Sequence, residues 1–367
     1  MKFPVTFCLV FGLFASIIKA HDSFENQSDW FEFQPTFSLL QTDNLSVKGE
    51  KYFKNIKQLS FGGENAEAYF SSDGKQLIFQ SKRDGRGCDQ IYSMDINGKN
   101  VKMISNGEGR TTCSYFLKGG KRILYASTFQ GGKDCPPNPN YPGYVWSVYP
   151  EYDIFTAKPD GSDIKPLTAT KGYDAEATVS PDGKRIIFTS ERDGDLELYS
   201  MDKTGKNVKR LTNEVGYDGG AFYSPDSKQI VYRRSQPTTE AEIKRYKDLL
   251  ARHLIVPTTF EVWTMNADGS NKRQITKLNA ASFAPFFTPD GKRILFCTNY
   301  FATDKSKRNF DLALINVDGT GLKRVTFNET FDGFPMFSPD GKKLVFASNR
   351  NAAKQGDTNV FIADWVE

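Results

Sequence analysis

Apolar and polar positions alternate along this chain in short runs, and turn residues cut the runs at regular intervals. The stretch from residue 175 to 212 shows the grammar. Ala175 to Val179 reads as one strand, and Ser180-Pro181-Asp182-Gly183 places Pro and Gly where a tight turn wants them. Lys184 to Ser190 follows with the apolar centre Ile186-Ile187-Phe188. After Glu191-Arg192-Asp193-Gly194 comes Leu196 to Met201, then the turn Asp202-Lys203-Thr204-Gly205, then Val208 to Thr212. Period-two alternation between such turns predicts four short antiparallel strands.

The same corner recurs six times: Ser71-Ser72-Asp73-Gly74, Leu117-Lys118-Gly119-Gly120, Ser180-Pro181-Asp182-Gly183, Ser224-Pro225-Asp226-Ser227, Thr288-Pro289-Asp290-Gly291 and Ser338-Pro339-Asp340-Gly341. The corners start 46, 63, 44, 64 and 50 residues apart. A supersecondary unit copied at this period points to a propeller or a solenoid. The final copy offers Pro335 to Phe337, Lys343 to Ser348 and Asn359 to Trp365, and lacks a fourth strand. An orphan, Asn55-Ile56-Lys57-Gln58-Leu59-Ser60, matches the fourth-strand pattern Asn207-Val208-Lys209-Arg210-Leu211-Thr212. Pairing the orphan with the last copy would close a ring and remove a sheet edge. The expected fold is therefore all-β, a six-bladed β-propeller of four-stranded blades, closed by an N-terminal strand that completes the last blade. A stacked solenoid with distinct capping units is the alternative.

The combination Ser-Pro-Asp-Gly-Lys, an apolar strand, Ser-x-Arg-Asp-Gly, then Asp-x-x-Gly-x-Asn and Arg-Leu-Thr resembles the TolB-like (PD40, WD40-like) propeller repeat. The resemblance covers roughly residues 55–367 and implies the same six-bladed fold. The second copy departs most, with Leu117-Lys118-Gly119-Gly120 at its corner.

In such blades the turns after strands one and three open on one face, and here they are short and uniform. Insertions collect on the opposite face, where function usually sits on a rigid scaffold. One, from Phe129 to Tyr152, is rich in Pro, Gly and aromatics; Tyr141, Tyr144 and Trp146 are candidates for a partner surface. The other, about 239–254, opens with Thr239-Ala241-Glu242 in capping-box spacing. Ile243, Tyr246, Leu249, Leu250 and Leu254 then recur at helical spacing, so a helical insertion is predicted. It would pack on the propeller rim or serve as a lid over the central funnel, with Tyr246 as a further surface candidate.

The N-terminus changes the picture of where the chain works. Met1-Lys2, the apolar run Val5 to Ile18 and Lys19-Ala20 read as a signal peptide over 1–20. Residues 21–54 are expected to be a partly irregular extension, and 55–367 the propeller. Secretion, extracellular or periplasmic, follows as the expected localisation, without a transmembrane anchor. Lys2 and Lys19 fall in the leader, so 48 basic and 44 acidic side chains leave a nearly balanced mature chain. Nucleic acid is excluded as a partner on that balance, since phosphate binding needs clustered positive charge. Among Cys88, Cys113 and Cys135 one disulfide is expected, whereas Cys297 sits in an apolar strand and reads as a buried thiol. Asn26, Asn44 and Asn328 stand in glycosylation sequons.

Aligning the corners brings a polar column to the funnel mouth. Six residues before each corner stand Asn65, Thr111, Asp174, Asp218, Ser282 and Asp332. Four before stand Glu67, Cys113, Glu176, Gly220, Ala284 and Phe334, and Arg83, Arg192 and Arg350 follow the second strands. Glu67, Arg83, Asp174, Glu176, Arg192, Asp218, Asp332 and Arg350 are the candidate ligand-binding residues, able to meet a cation, a sugar or a peptide terminus. The competing reading gives these charges to the knitting of neighbouring blades. Catalytic constellations are thin: two histidines, His21 and His253, and no Gly-x-Ser-x-Gly elbow. The expected function is a monomeric, cofactor-free, non-catalytic module that binds a protein or a small polar ligand on the loop-rich face. The alternative is a hydrolase or lyase acting on peptide or glycan, with Asp174, Glu176, Asp218 and Arg192 around a divalent cation in the funnel.

Overall fold

Strands this short bury their apolar side chains only by stacking sheet on sheet, and closing the stack into a ring leaves no face uncovered. The computed structural model describes residues 45–303 and 308–366. Residues 44–367 form one compact unit. The expected leader at 1–20, most of the 21–54 extension, and Asn26 and Asn44 lie outside the described residues.

Six four-stranded sheets follow one another in sequence order. Blade three runs Asp174–Val179, Arg185–Ser190, Glu197–Asp202 and Lys209–Arg210, close to the predicted bounds. The last blade is built as expected from both ends of the described chain. Phe53–Gln58 pairs antiparallel with Asn359–Trp365, with Phe53 opposite Trp365 and Gln58 opposite Phe361. Stacking of Tyr52 on Trp365 and of Phe53 on Phe346 adds packing to this clasp.

The corners form by one device. In five of the six, a hydroxyl bonds the corner Asp and accepts the amide that opens strand two; Ser180 Oγ lies 2.6 Å from Asp182 Oδ1 and 3.0 Å from the Arg185 amide. Blade two has no such hydroxyl or acid. Gly119 and Gly120, both at positive φ, close the same turn through a 2.9 Å bond from the Gly120 amide to the Leu117 carbonyl.

Neighbouring blades are tied by a backbone bond repeated at every junction. The amide six residues before each corner donates to the preceding blade: Asn65 to Thr358, Thr111 to Asp89, Asp174 to Tyr152, Asp218 to Leu196, Ser282 to Phe260 and Asp332 to Phe310, all at 2.8–3.0 Å. Side chains at this position are fully buried.

The predicted helix is present as Glu240–Leu250, capped by Thr239 with Glu242 returning the capping-box bond. Leu249 and Leu250 are buried, and Leu250 joins Tyr173, Leu196 and Tyr217 in a cluster on blades three and four. The Tyr246 hydroxyl donates to Asp195. The helix is thus packed on the rim.

Candidate functional site

Every innermost strand carries a bulge at the same place. Pairing with strand two slips between Ala66 and Tyr69, Thr112 and Tyr115, Ala175 and Thr178, Gly219 and Phe222, Phe283 and Phe286, and Gly333 and Met336. The residue inside each slip, four before the corner, takes a left-handed conformation: Glu67, Cys113, Glu176, Gly220, Ala284 and Phe334, with φ from 50 to 58°. A bulge re-aims its side chain, and here all six face one axial cavity of about 450 Å³.

The cavity is a cup, and its floor is aromatic. Tyr69 and Phe222, on opposite blades, meet across the axis with ring centroids 5.5 Å apart. Tyr115 and Phe286 extend this plug, at 5.6 Å from Tyr69 and 5.1 Å from Phe222. The roof comes from the blade-two insertion, whose Asn138, Pro139 and residues 144–149 line the cavity. Trp146 stacks on Phe260 at 5.7 Å and meets Tyr217 and Phe283 edge-on.

Two tethers hold this roof. Cys88 and Cys135 form a disulfide that anchors one end to blade one. At the other end Trp146–Ser147 pairs with Leu254–Ile255, just beyond the helix, in a two-stranded ribbon. Cys113, grouped with Cys88 and Cys135 as a disulfide candidate, is a free thiol on the cup wall, because its bulge turns it to the axis; Cys297 is free and buried. The roof over the funnel is therefore supplied by residues 138–139 and 144–149, and no residue of the helix lines the cup.

Charge inside the cup is unevenly matched. Glu176 accepts from the Arg233 guanidinium at 2.5 Å, Tyr217 OH and Thr189 Oγ1 at 2.8 Å, and the Gly220 amide at 2.9 Å. Burial alone would raise its pKa, but Arg233 and these donors bring the carboxyl below its ordinary value. Arg233 lies over the rings of Tyr217, Trp146 and Phe260 at 4.6, 5.3 and 5.5 Å. Gly220 leaves room for that guanidinium: a Cβ there would fall 2.1 Å from Arg233 Nη1, which would have to shift. Asp89 faces Arg110 at 3.9 Å.

Glu67 has no such partner; among the described residues no cation pairs with it. Burial pushes its pKa up to about 7, partly offset by a hydrogen bond with the Cys113 thiol and by the more distant Arg233 charge, and reinforced by Glu176 and Asp89. Burial likewise pushes the Cys113 thiol well up, with Glu67 and Glu176 adding to it, so the sulfur stays protonated. Gln80 Oε1 accepts from Thr112 and from the Cys113 amide, fixing this corner of the wall.

The remaining sequence candidates lie elsewhere. Asp174 pairs with Arg192 at 3.0 Å, Asp218 with Arg234 at 3.5 Å, and Asp332 with Arg350 at 2.9 Å, each within one blade and none on the cup lining. Arg350 also bonds Glu50, tying in the segment before the ring-closing strand. Arg83 lies over Phe79 and Tyr92. Of the surface candidates, Tyr144 is 76% exposed, Tyr141 and Trp146 are half-buried in the roof, and Tyr246 is held by Asp195. Among the described residues no three His, Cys, Asp or Glu side chains gather as a metal would require. No described helix is long and apolar enough to cross a membrane.

Arg233, Gln80 and Trp146 were absent from the sequence-derived ligand candidates. The column nine residues after each corner start reads Gln80, Ala126, Thr189, Arg233, Cys297 and Ala347. Its irregularity at Gln80 and Arg233, beside the equally irregular bulge column, is the signal that could have found them.

Comparison with known proteins agrees with the fold. Residues 145–259 match the family described as PD40, the TolB beta propeller domain. A dipeptidyl-peptidase 5 of Porphyromonas endodontalis is 25% identical over 125 residues, covering 33% of this chain and 15% of that protein. A TolB homolog of Chlorobium luteolum is 22% identical over 152 residues, covering 35% of this chain and 34% of its own length. The matches thus span 15% and 34% of the length of these curated relatives. A solved structure of a putative TolB from Agrobacterium tumefaciens superposes with a TM-score of 0.54 at 18% identity, over 83% of this chain and 91% of that one.

Proposed function

We propose that this chain, a TolB-like six-bladed β-propeller, is a non-catalytic binding module that takes a small polar ligand into the cup at the loop-rich end of its axis. One observation carries the reading: six bulge residues, copied in position but not in identity, surround a cavity with an aromatic floor and a tethered roof. About 450 Å³ is the size of a small-molecule pocket. A protein partner would instead need an extended, open surface. The Cys88–Cys135 disulfide and the leader-like run at 1–20 support work in an oxidising compartment outside the cytosol.

The catalytic alternative draws on one feature, the Glu67 proton held near neutrality, which suits general acid–base work. It would dispense with Asp174 and Asp218, which already serve ion pairs away from the cup. Turnover of a peptide or glycan that vanishes in Glu67→Gln would establish this alternative.

The binding reading is tested by filling the cup. Phe334 shows that this bulge accommodates a phenyl ring, so Ala284→Phe should keep the fold while removing ligand space. Ligand-observed NMR against small-molecule mixtures should give binders for the wild type that Ala284→Phe loses. Binders that persist in a folded Ala284→Phe protein would overturn the reading.

A further inference from the structure

The cup holds an unequal number of acidic and basic side chains. Glu67, Asp89 and Glu176 line it on the acidic side, and Arg110 and Arg233 on the basic side. Arg233 is committed to Glu176 at 2.5 Å, and Arg110 is the cation nearest Asp89. Glu67 is left over. Its bulge aims it at the axis, with the Cys113 thiol as its polar neighbour and the Tyr69 ring of the floor two residues along its own strand. The cavity it faces is lined by aromatic side chains of the floor, the walls and the roof, among them Tyr152, Tyr173, Phe222, Phe283 and Trp146.

A lone carboxylate inside an aromatic enclosure is matched by a compact organic cation. Ring quadrupoles attract a desolvated ammonium, and a carboxylate pairs with it. An anionic ligand would meet the unmatched acid, and a neutral one would leave it uncompensated when ionised. Resting on the binding reading above, we propose that the ligand class of this cup is a monocationic organic amine, whose ammonium pairs with Glu67 and whose apolar part lies against the aromatic floor and roof.

The charged and titratable groups facing Glu67 are Cys113 from blade two, Glu176 from blade three, Arg233 from blade four, Asp89 from its own blade, and Tyr69 on its own strand. Cys113 and Tyr69 stay neutral, both pushed well up chiefly by burial, and Glu176 with Arg233 is an internal pair. The ammonium must displace the Glu67 proton, which leaves near pH 7. Affinity should therefore rise with pH across neutrality.

Calorimetric titration with 2-phenylethylamine, 2-phenylethanol and phenylacetate tests this on the intact protein. The amine stays protonated from pH 6 to 8, and the three probes share one apolar body. At pH 8 the amine should bind at least about tenfold more tightly than the alcohol, and phenylacetate more weakly than either. The amine's preference should shrink by about tenfold at pH 6, where Glu67 holds its proton. In Glu67→Gln the preference and its pH dependence should both disappear while binding of the alcohol remains. Equal affinity for amine and alcohol, a preference that survives Glu67→Gln, or tighter binding of phenylacetate would overturn the proposal. So would the failure of every probe to bind the wild type. Alcohol binding that Ala284→Phe removes, without any amine preference, would sink this inference and leave the binding reading standing.

Discussion

Two rings of six residues run around the propeller axis, two positions apart on the same strands, and they behave oppositely. The outer ring, six before each corner, is all polar in sequence and fully buried. Its amides bridge the blades, and its three carboxylates pair within their own blade. The inner ring, four before each corner, repeats only its backbone: every member has positive φ, and the side chains range from Glu to Gly to Phe. Where a repeat keeps its residue type it serves the repeat, and where it keeps only a conformation it is free to shape a site. Non-glycine residues in the left-handed region cost on the order of 1–3 kcal/mol each, so the ring tolerates strain to aim these side chains inward.

The sharpest break of this comparison is Arg350→Ala. It strands Asp332 and Glu50, both without side-chain exposure. A loss of about 3–5 kcal/mol in unfolding free energy is expected from denaturant midpoints, with the cup unaltered in the folded fraction. Cys88→Ser opens a tether spanning 47 residues and should cost about 2–4 kcal/mol, and it should loosen the roof, read as faster amide exchange at 138–149.

Inner-ring substitution should act through pH instead. Glu67 has a folded pKa of about 7 against an ordinary value of 4.5, so the unfolded chain releases its proton first. Native protein then binds more protons than unfolded protein between those values. Stability contributed by protonated Glu67 is intact at low pH, is lost as pH rises through that window, and stays lost above it. Thermal melts of Glu67→Gln should lack this decline and exceed the wild type at pH 8 by on the order of 2–3 kcal/mol. Gly220→Ala should have the smallest effect, about 1–2 kcal/mol, through the left-handed backbone and the displaced Arg233 guanidinium; its additional mark should be weakened ligand binding.

Much of the outer architecture was legible from residues. Corners announce themselves through Pro, Asp and Gly, the ring-closing strand through its likeness to residues 207–212, and the helix through Thr239 and Glu242. The inner ring was harder to read. A left-handed Glu67, Cys113 or Phe334 has no compositional signature, because bulges are set by strand twist and ring closure rather than by local propensity. The same tertiary effect separated Cys113 from Cys88 and Cys135; the helix finds its apolar partners on the rim, one of the two placements expected of it, and residues 138–139 and 144–149 roof the cup instead. The acidic column at Asp174, Asp218 and Asp332 was visible, but its burial beneath arginines of the same blade emerges only from the fold.

The division of labour between the two ends of the axis is most directly tested by ligand-observed NMR on a matched pair of variants, Ala284→Phe in the cup and Asp226→Asn at a corner. Binders of the wild type should vanish with Ala284→Phe and persist with Asp226→Asn. Retention in a folded Ala284→Phe protein, or loss in a folded Asp226→Asn protein, would contradict the assignment of the cup as the functional site.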